Sequence, residues 1–310
     1  MEKSGYIAII GRPNSGKSTL LNSVLGTQLS IVTPKAQTTR DQILGILTEK
    51  QGQIVFMDTP GIHHAKEGGI NEYMVNEAKK SIESPHLIWY IVDPYSALKH
   101  ELEVIQILVN SKSPIILILN KIDLFRESKS LLIPEKLESA LQKEFFIRGI
   151  SLVSSQKISS FSKEGVLELL QMSWNFIPEG PYFFPDLEQI SNRPVRFFVS
   201  EKIREQLYLL LGQEIPYSCA IEIENFSEDI KPLRIEAVIH VERDSQKGIV
   251  IGQGGKKIKE IGQAARLEIE KFLGEKIFLG LKVKVLKDWS KNKEYLKRMG
   301  YSVSSHRRTG

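Results

Sequence analysis

The chain has 310 residues, 41% of them hydrophobic and 25% charged, which suits a globular protein of two domains. No apolar run approaches the roughly 18 residues of a spanning helix, and MEKSGYIAII runs straight into a strand pattern, unlike a signal peptide. The single Cys219 excludes an intramolecular disulfide and a cysteine-based zinc site, so a cytoplasmic protein is expected. The net charge of +5 is uneven: residues 240–310 hold 17 Lys/Arg against 8 Asp/Glu, on a slightly acidic body. That basic end is either a surface for a polyanion, most naturally nucleic acid, or a solvated lysine face.

In chain order, YIAII, QILGIL, QIVFM, LIWYIV, PIILIL and GISLV read as strands. Between them GKSTLLNSVLG, INEYMVNEAKKSI, LKHELEVIQILVN, PEKLESALQKEFF and GVLELLQMSWNF read as amphipathic helices. This alternation predicts an α/β domain over residues 1–177, a mostly parallel sheet with helices on both faces and ligands at the strands' carboxyl ends. A proline-rich stretch, 178–192, reads as a linker. VRFFVSEKIREQLYLLLG then opens a smaller α+β domain, 193–290, in the order α-β-β-α-α-β, followed by a tail, 291–310, expected to be mobile.

Three motifs stand at strand ends of the first domain. GRPNSGKST (Gly11, Arg12, Pro13, Asn14, Ser15, Gly16, Lys17, Ser18, Thr19) fits a phosphate loop between strand and helix. Its glycines let backbone N–H groups face phosphates, Lys17 supplies a point charge and the Ser18 hydroxyl a Mg2+ ligand. DTPG (Asp58, Thr59, Pro60, Gly61) offers a carboxylate to Mg2+ through water and a glycine N–H to the γ-phosphate. NKID brings Asn120, Lys121 and Asp123; the Asp123 carboxylate can accept from guanine N1–H and N2–H. Adenine would leave that carboxylate unpaired, a discrimination of roughly 10⁴-fold. GTP with Mg2+ is the expected ligand.

This first domain resembles the translation-factor-related GTPases. The resemblance places the base-backing pair at Ser154 and Ser155 and the Mg2+-sensing threonine of AQTTRD at Thr39, with Thr38 second. The water-orienting glutamine of Ras-like relatives is replaced by Ile62. Relatives with a phosphate-loop asparagine often use K+ as a charge substitute, and Asn14 holds that position; the other reading is a turn residue. Slow intrinsic hydrolysis is expected, with Lys17, Asn14, Thr39 and Gly61 as the catalytic set and K+ or a large partner as accelerator.

The second glycine loop, IGQGG, lacks the Lys-Ser/Thr of a triphosphate loop and fits the Gly-x-x-Gly by which KH domains clamp a single-stranded backbone. Gly252, Gln253, Gly254 and Gly255 would approach sugar and phosphate, with Lys256, Lys257 and Lys259 neutralising charge. Ile258, Ile261, Gly262, Ala265, Ile269 and Phe272 repeat at helical spacing and read as core. Trp289 beside lysines either stacks a base or caps the last strand. A GTPase domain joined to a type II KH domain resembles the bacterial Era GTPases, on GRPNSGKSTLLN, KAQTTRD, DTPGIH, NKID, RPVRFFVSEKIRE, LGQEIPYS, GIVIGQGGKKIKEIG and KVKVLKDW. The resemblance implies GTP-dependent binding to the 3′ end of 16S rRNA during maturation of the small ribosomal subunit, by a monomer. Family members also associate peripherally with the membrane, which nothing in the sequence shows. A GTPase of another purpose, or a constitutive RNA binder with a structural nucleotide pocket, is the rival reading.

Overall fold

The computed structural model describes residues 2–35, 38–61, 69–124, 132–212, 214–299 and 301. It divides into two compact units, Met1–Lys66 with Met74–Asn192, and Glu67–Tyr73 with Arg193–Gly310.

In the first unit β1 (Lys3–Ile10), β3 (Gly52–Asp58), β4 (Leu87–Val92), β5 (Ile115–Leu119) and β6 (Leu152–Lys157) run parallel, with β2 (Ile43–Glu49) antiparallel at one edge. The strand order is β2-β3-β1-β4-β5-β6. β4 and β5 are buried at every residue, as expected of central strands covered on both faces. Their covers include α3 (Leu98–Leu108) and α4 (Leu132–Ile147), whose Val104, Ile105, Leu108, Leu137, Leu141 and Phe145 pack with them in one core. The chain order reverses between β1 and β4, so the carboxyl ends of β1, β3 and β5 open on one crevice.

The stretch expected to be a linker, 178–192, is instead a strap on this unit. Ser4 N–H donates to Pro178 O and Gly180 N–H to Glu2 O, at 3.0 Å each. The Gln53 side chain exchanges two hydrogen bonds with the Phe184 backbone, and Ile46 N–H donates to Ile190 O. Prolines do not prevent this, because Pro178 accepts through its carbonyl and Gly180 and Phe184 supply N–H donors.

The second unit has a three-stranded sheet: β7 (Ala220–Ser227) antiparallel to β8 (Leu233–Val241), and β9 (Ile277–Val285) parallel to β8. α6 (Val195–Leu210), α7 (Asp244–Ile251) and α8 (Lys256–Leu273) complete it. Val199 and Ile203 of α6 meet Ala265 and Ile269 of α8 over Ile235 and Ala237. The predicted tail contains α9 (Lys293–Arg298), capped by Asn292, whose Oδ1 accepts from Glu294 N and Tyr295 N. Leu296 is fully buried and Tyr301 nearly so, hence 291–299 and Tyr301 are built structure; Gly300 and 302–310 lie outside the described residues.

Candidate functional site

The loop between β1 and α1 (Lys17–Leu25) is held by contacts only glycine permits. A Cβ on Gly11 would stand 2.3 Å from Ile91 O, and one on Gly16 (φ 103°) 2.1 Å from Asn120 Nδ2. A Cβ on Gly61 would stand 2.6 Å from Pro13 N, so the DTPG turn lies directly on the phosphate loop. Pro13, Asn14, Gly16, Lys17, Ser18, Thr19, Ile31 to Pro34, Thr38, Thr39, Gly61 and Lys121 line one cavity of about 450 Å³.

Lys17 is buried, its Nζ donating to Gly11 O at 3.2 Å and Arg12 O at 2.8 Å. Burial pushes its pKa down to about 8, with Asp58 and Glu101 opposing. These loop carbonyls hold the ammonium where a phosphate would compete for it. Arg12 Nη1 reaches Ser96 Oγ at 3.4 Å, and Asn14 adopts φ 63° with Nδ2 donating to Pro34 O at 3.2 Å.

Three oxygens converge beside Lys17. The Ser18 hydroxyl donates to Asp58 Oδ2 at 2.9 Å, and Thr39 Oγ1 lies 3.0 Å from Ser18 Oγ. Asp58 is fully buried; burial raises its pKa against Lys17 and Ser18, while its Oδ1 has no hydrogen-bond partner in the chain. Two hydroxyls and a carboxylate with an unused buried oxygen suit a hard, oxygen-seeking dication, so Ser18, Thr39 and Asp58 fit Mg2+. The geometry brings Thr39 rather than Thr38 to this set. The Thr59 hydroxyl donates to Ile9 O at 2.9 Å. Ile62 lies outside the described residues.

Asn120 is the joint of the base side. Its Nδ2 donates to Ser15 O at 2.9 Å, and its Oδ1 accepts from both the N–H and the hydroxyl of Ser160, each at 2.9 Å. Lys121 takes a left-handed φ of 62° and pairs with Asp93 at 2.7 Å. Asp123 Oδ1 is buried without a partner, as a carboxylate waiting for guanine donors would be.

Ser154 and Ser155 are not at this joint. Both lie inside β6, paired with Ile116 and Leu117, and the Ser155 hydroxyl donates to Glu138. The strand runs on to Lys157, past an irregularity opposite Ile115/Ile116, so its carboxyl end comes later than GISLV suggests. The serine that meets Asn120 is instead Ser160, which is buried beside the buried Ser159. The sequence held a signal for it: apolar Ile158 and then Ser-Ser ending six residues before the helix α5 (Val166–Ser173).

In the second unit Gly252, Gly254 and Gly255 all have positive φ, and α8 begins at Lys256 directly after them. Gln253 and Gly254 are exposed, as are Lys256 and Lys259; Lys257 pairs with Glu260 at 2.7 Å. Beside this loop a groove of about 430 Å³ is lined by Ile258, Lys259, Gly262, Gln263, Arg266, Leu279 and Leu281. Ile258 and Gly262 thus floor an open groove between α8 and β9 instead of closing the core, whereas Ile261, Ala265 and Ile269 are fully buried. Helical spacing marks an apolar face but not whether another element covers it. Trp289 is fully buried with Nε1 donating to Ser218 O at 2.9 Å, so it packs and does not stack a base.

The family described as 50S ribosome-binding GTPase matches residues 6–121, and the KH domain family matches 214–290. GTPase Era of Carboxydothermus hydrogenoformans is 40% identical over 303 residues, 97% of this chain and 98% of that protein. GTPase Era of Coxiella burnetii is 43% identical over 303 residues, covering 96% and 97%. Among solved structures, an Era variant of Aquifex aeolicus bound to GDP.AlF4- superposes with a TM-score of 0.87 at 36% identity, covering 97% of this chain and all of that one. Era in complex with MgGDPNP and nucleotides 1506–1542 of 16S ribosomal RNA gives 0.86 at 34% identity, over 98% and 100%. With both glycine loops in the predicted frames and relatives matched end to end, this chain is a member of the Era GTPase family.

Proposed function

We propose that this GTPase binds the 3′ end of 16S rRNA through its KH domain and assists maturation of the small ribosomal subunit, with nucleotide state controlling RNA binding. The observation that carries the reading is the pairing of a guanine-and-phosphate site with an open KH groove in a chain that matches, over 98% of its length, a relative holding MgGDPNP and the 16S segment together. Mg2+ would be held by Ser18, Thr39 and Asp58, where it neutralises charge on the phosphates. Gly252 to Gly255 would clamp the strand backbone, Lys256 and Lys259 its charge, and Ile258 with Leu279 and Leu281 the faces of the bases.

For hydrolysis Lys17 and the Gly61 N–H would hold the γ-phosphate, and Asn14 would hold K+, which would supply a substitute positive charge. Asn14 supports this by its left-handed backbone at the cavity wall and its tie to Pro34. No helix among the described residues is long and apolar enough to cross a membrane, and any membrane association is peripheral. The protein acts as a cytoplasmic monomer.

Phosphate release in K+ and in Na+ buffer, with and without the 16S segment 1506–1542, tests the enzymatic half. Turnover should be slow in Na+ and rise with K+ or RNA; equal rates in both cations remove K+ from the account. RNA affinity measured with a GTP analogue and with GDP tests the control, and equal affinities would remove it.

A further inference from the structure

The groove beside the second glycine loop has a glycine at its middle. Along α8 its wall is made by Ile258, Gly262 and Arg266, one helical turn apart, with Lys259 beside them; Leu279 and Leu281 of β9 stand opposite. Ile258, Gly262, Leu279 and Leu281 are half-buried and apolar, while the cations Lys259 and Arg266 lie on α8 to either side of Gly262.

A glycine inside a helix weakens it. Gly262 lies well within α8, and its φ is not in the left-handed region that would call for glycine. Two and three places further on α8 does use alanine, at Ala264 and Ala265, the latter fully buried in the core. Small size is therefore met by alanine elsewhere in the same helix, and position 262 differs in lacking even a methyl. A Cβ there would stand 3.5 Å from Leu281 Cδ1 and 4.0 Å from its Cγ. That is ordinary van der Waals contact, so the fold accepts the methyl. The same contact would join α8 to β9 across the groove and close it at its middle.

We propose that Gly262 is a specificity-determining residue of the RNA groove, its bare backbone forming the floor on which one unpaired base of the strand lies, between Ile258 and Leu281. This inference rests on the RNA binding read above and assigns one base of that strand to one residue. The apolar walls suit the faces of a base, and the cations on either side suit the phosphates that flank it. A base held in a duplex cannot turn its face into the groove, so the floor selects single-stranded RNA. Helix stability is given up at this position for room in the groove, and the two effects have opposite signs on substitution.

Fluorescence anisotropy of the full chain with the 16S segment 1506–1542, beside thermal unfolding, reads both. Gly262→Ala should raise the melting temperature by about 2–4 °C, because alanine suits the helix. Its RNA affinity should fall about tenfold or more, with GTP affinity kept. Adding Ala264→Gly should return the melting temperature to that of wild type and leave RNA binding weak, which separates the groove from the stability of the helix. Repeating the titration with segments in which each unpaired nucleotide in turn lacks its base locates the contact. At one position wild type and Gly262→Ala should bind the abasic segment within about twofold of each other, because the base that the methyl excludes is already gone. Wild-type affinity of Gly262→Ala for the intact segment, or the same penalty at every abasic position, overturns the inference and leaves the proposed function standing. Failure of the wild type to bind the intact segment overturns both.

Discussion

Replacing Gly16 with alanine tests how the phosphate loop is held. The new methyl would sit 2.1 Å from Asn120 Nδ2, so Asn120 must leave its bonds to Ser15 O and to Ser160 or the loop must shift. A non-glycine residue at φ 103° adds strain of about 1–3 kcal/mol. Losing two or three hydrogen bonds costs about 1 kcal/mol each. Together these give about 3–6 kcal/mol against the binding-competent loop, or roughly a 10²- to 10⁴-fold loss of GTP affinity by titration calorimetry. Gly26 supplies the control: its φ is 67°, but a Cβ there meets nothing within 4 Å. Gly26→Ala should lower stability by about 1 kcal/mol and leave GTP binding alone. If Gly16→Ala binds GTP within a few-fold of wild type, or Gly26→Ala loses as much affinity, the clash with Asn120 is not what fixes the loop.

The base side predicts a change of specificity: Asp123→Asn removes the acceptor for guanine N1–H and N2–H, so GTP affinity should drop by about 10²-fold or more while xanthine nucleotides gain, read by competition binding. Ser160→Ala should weaken GTP binding by about five- to tenfold through the lost bond to Asn120, with Ser155→Ala neutral; the reverse pattern would restore the earlier placement. Nucleotide affinity should also depend on pH. Burial puts Lys17 at about 8 in the empty site, and phosphates favour the ammonium, so binding takes up a proton above that pH. Affinity should be flat below pH 8 and fall by up to about tenfold per unit above it, with proton uptake visible as buffer-dependent binding heat. For the empty protein the sign is opposite: the folded-state pKa lies below the unfolded one, so the cost of burying the charge is present below pH 8 and lifted as pH rises from there.

The three GTPase motifs were legible because each is a short run whose chemistry depends on a strand end, and strands as apolar as QIVFM and PIILIL locate themselves. The serine beside Asn120 was not, because LVSSQK turns polar after its first two residues and its pairing with β5 contains an irregularity. Counting forward from Leu152 therefore stops too early; Ser159-Ser160 is fixed by Asn120, a residue 40 positions away. Prolines in 178–192 suggested a free linker, yet Gln53 from β3 captures the Phe184 backbone, a long-range contact with no local sequence mark. α9 could have been found: Asn292, an acidic residue two places on and basic residues in the last turn form a capped helix. The bond from Ile70 N–H, in α2 (Gly69–Lys80), to Ser290 O could not, since nothing in INEYMVNEAKK or KDWSKNKEY specifies the other.

Two glycine loops with different ligands are the centre of this account, and RNA affinity of the Gly254→Asp, Gly255→Asp double variant tests it most directly. A Cβ at either position meets no atom within 4 Å, and aspartate tolerates left-handed backbone, so the fold should persist while two carboxylates face the RNA phosphates. Affinity for the 16S segment 1506–1542 should fall by about 10²-fold or more with GTP affinity unchanged. Full RNA affinity in this variant, or a parallel loss of GTP binding, would contradict the division of labour between the loops.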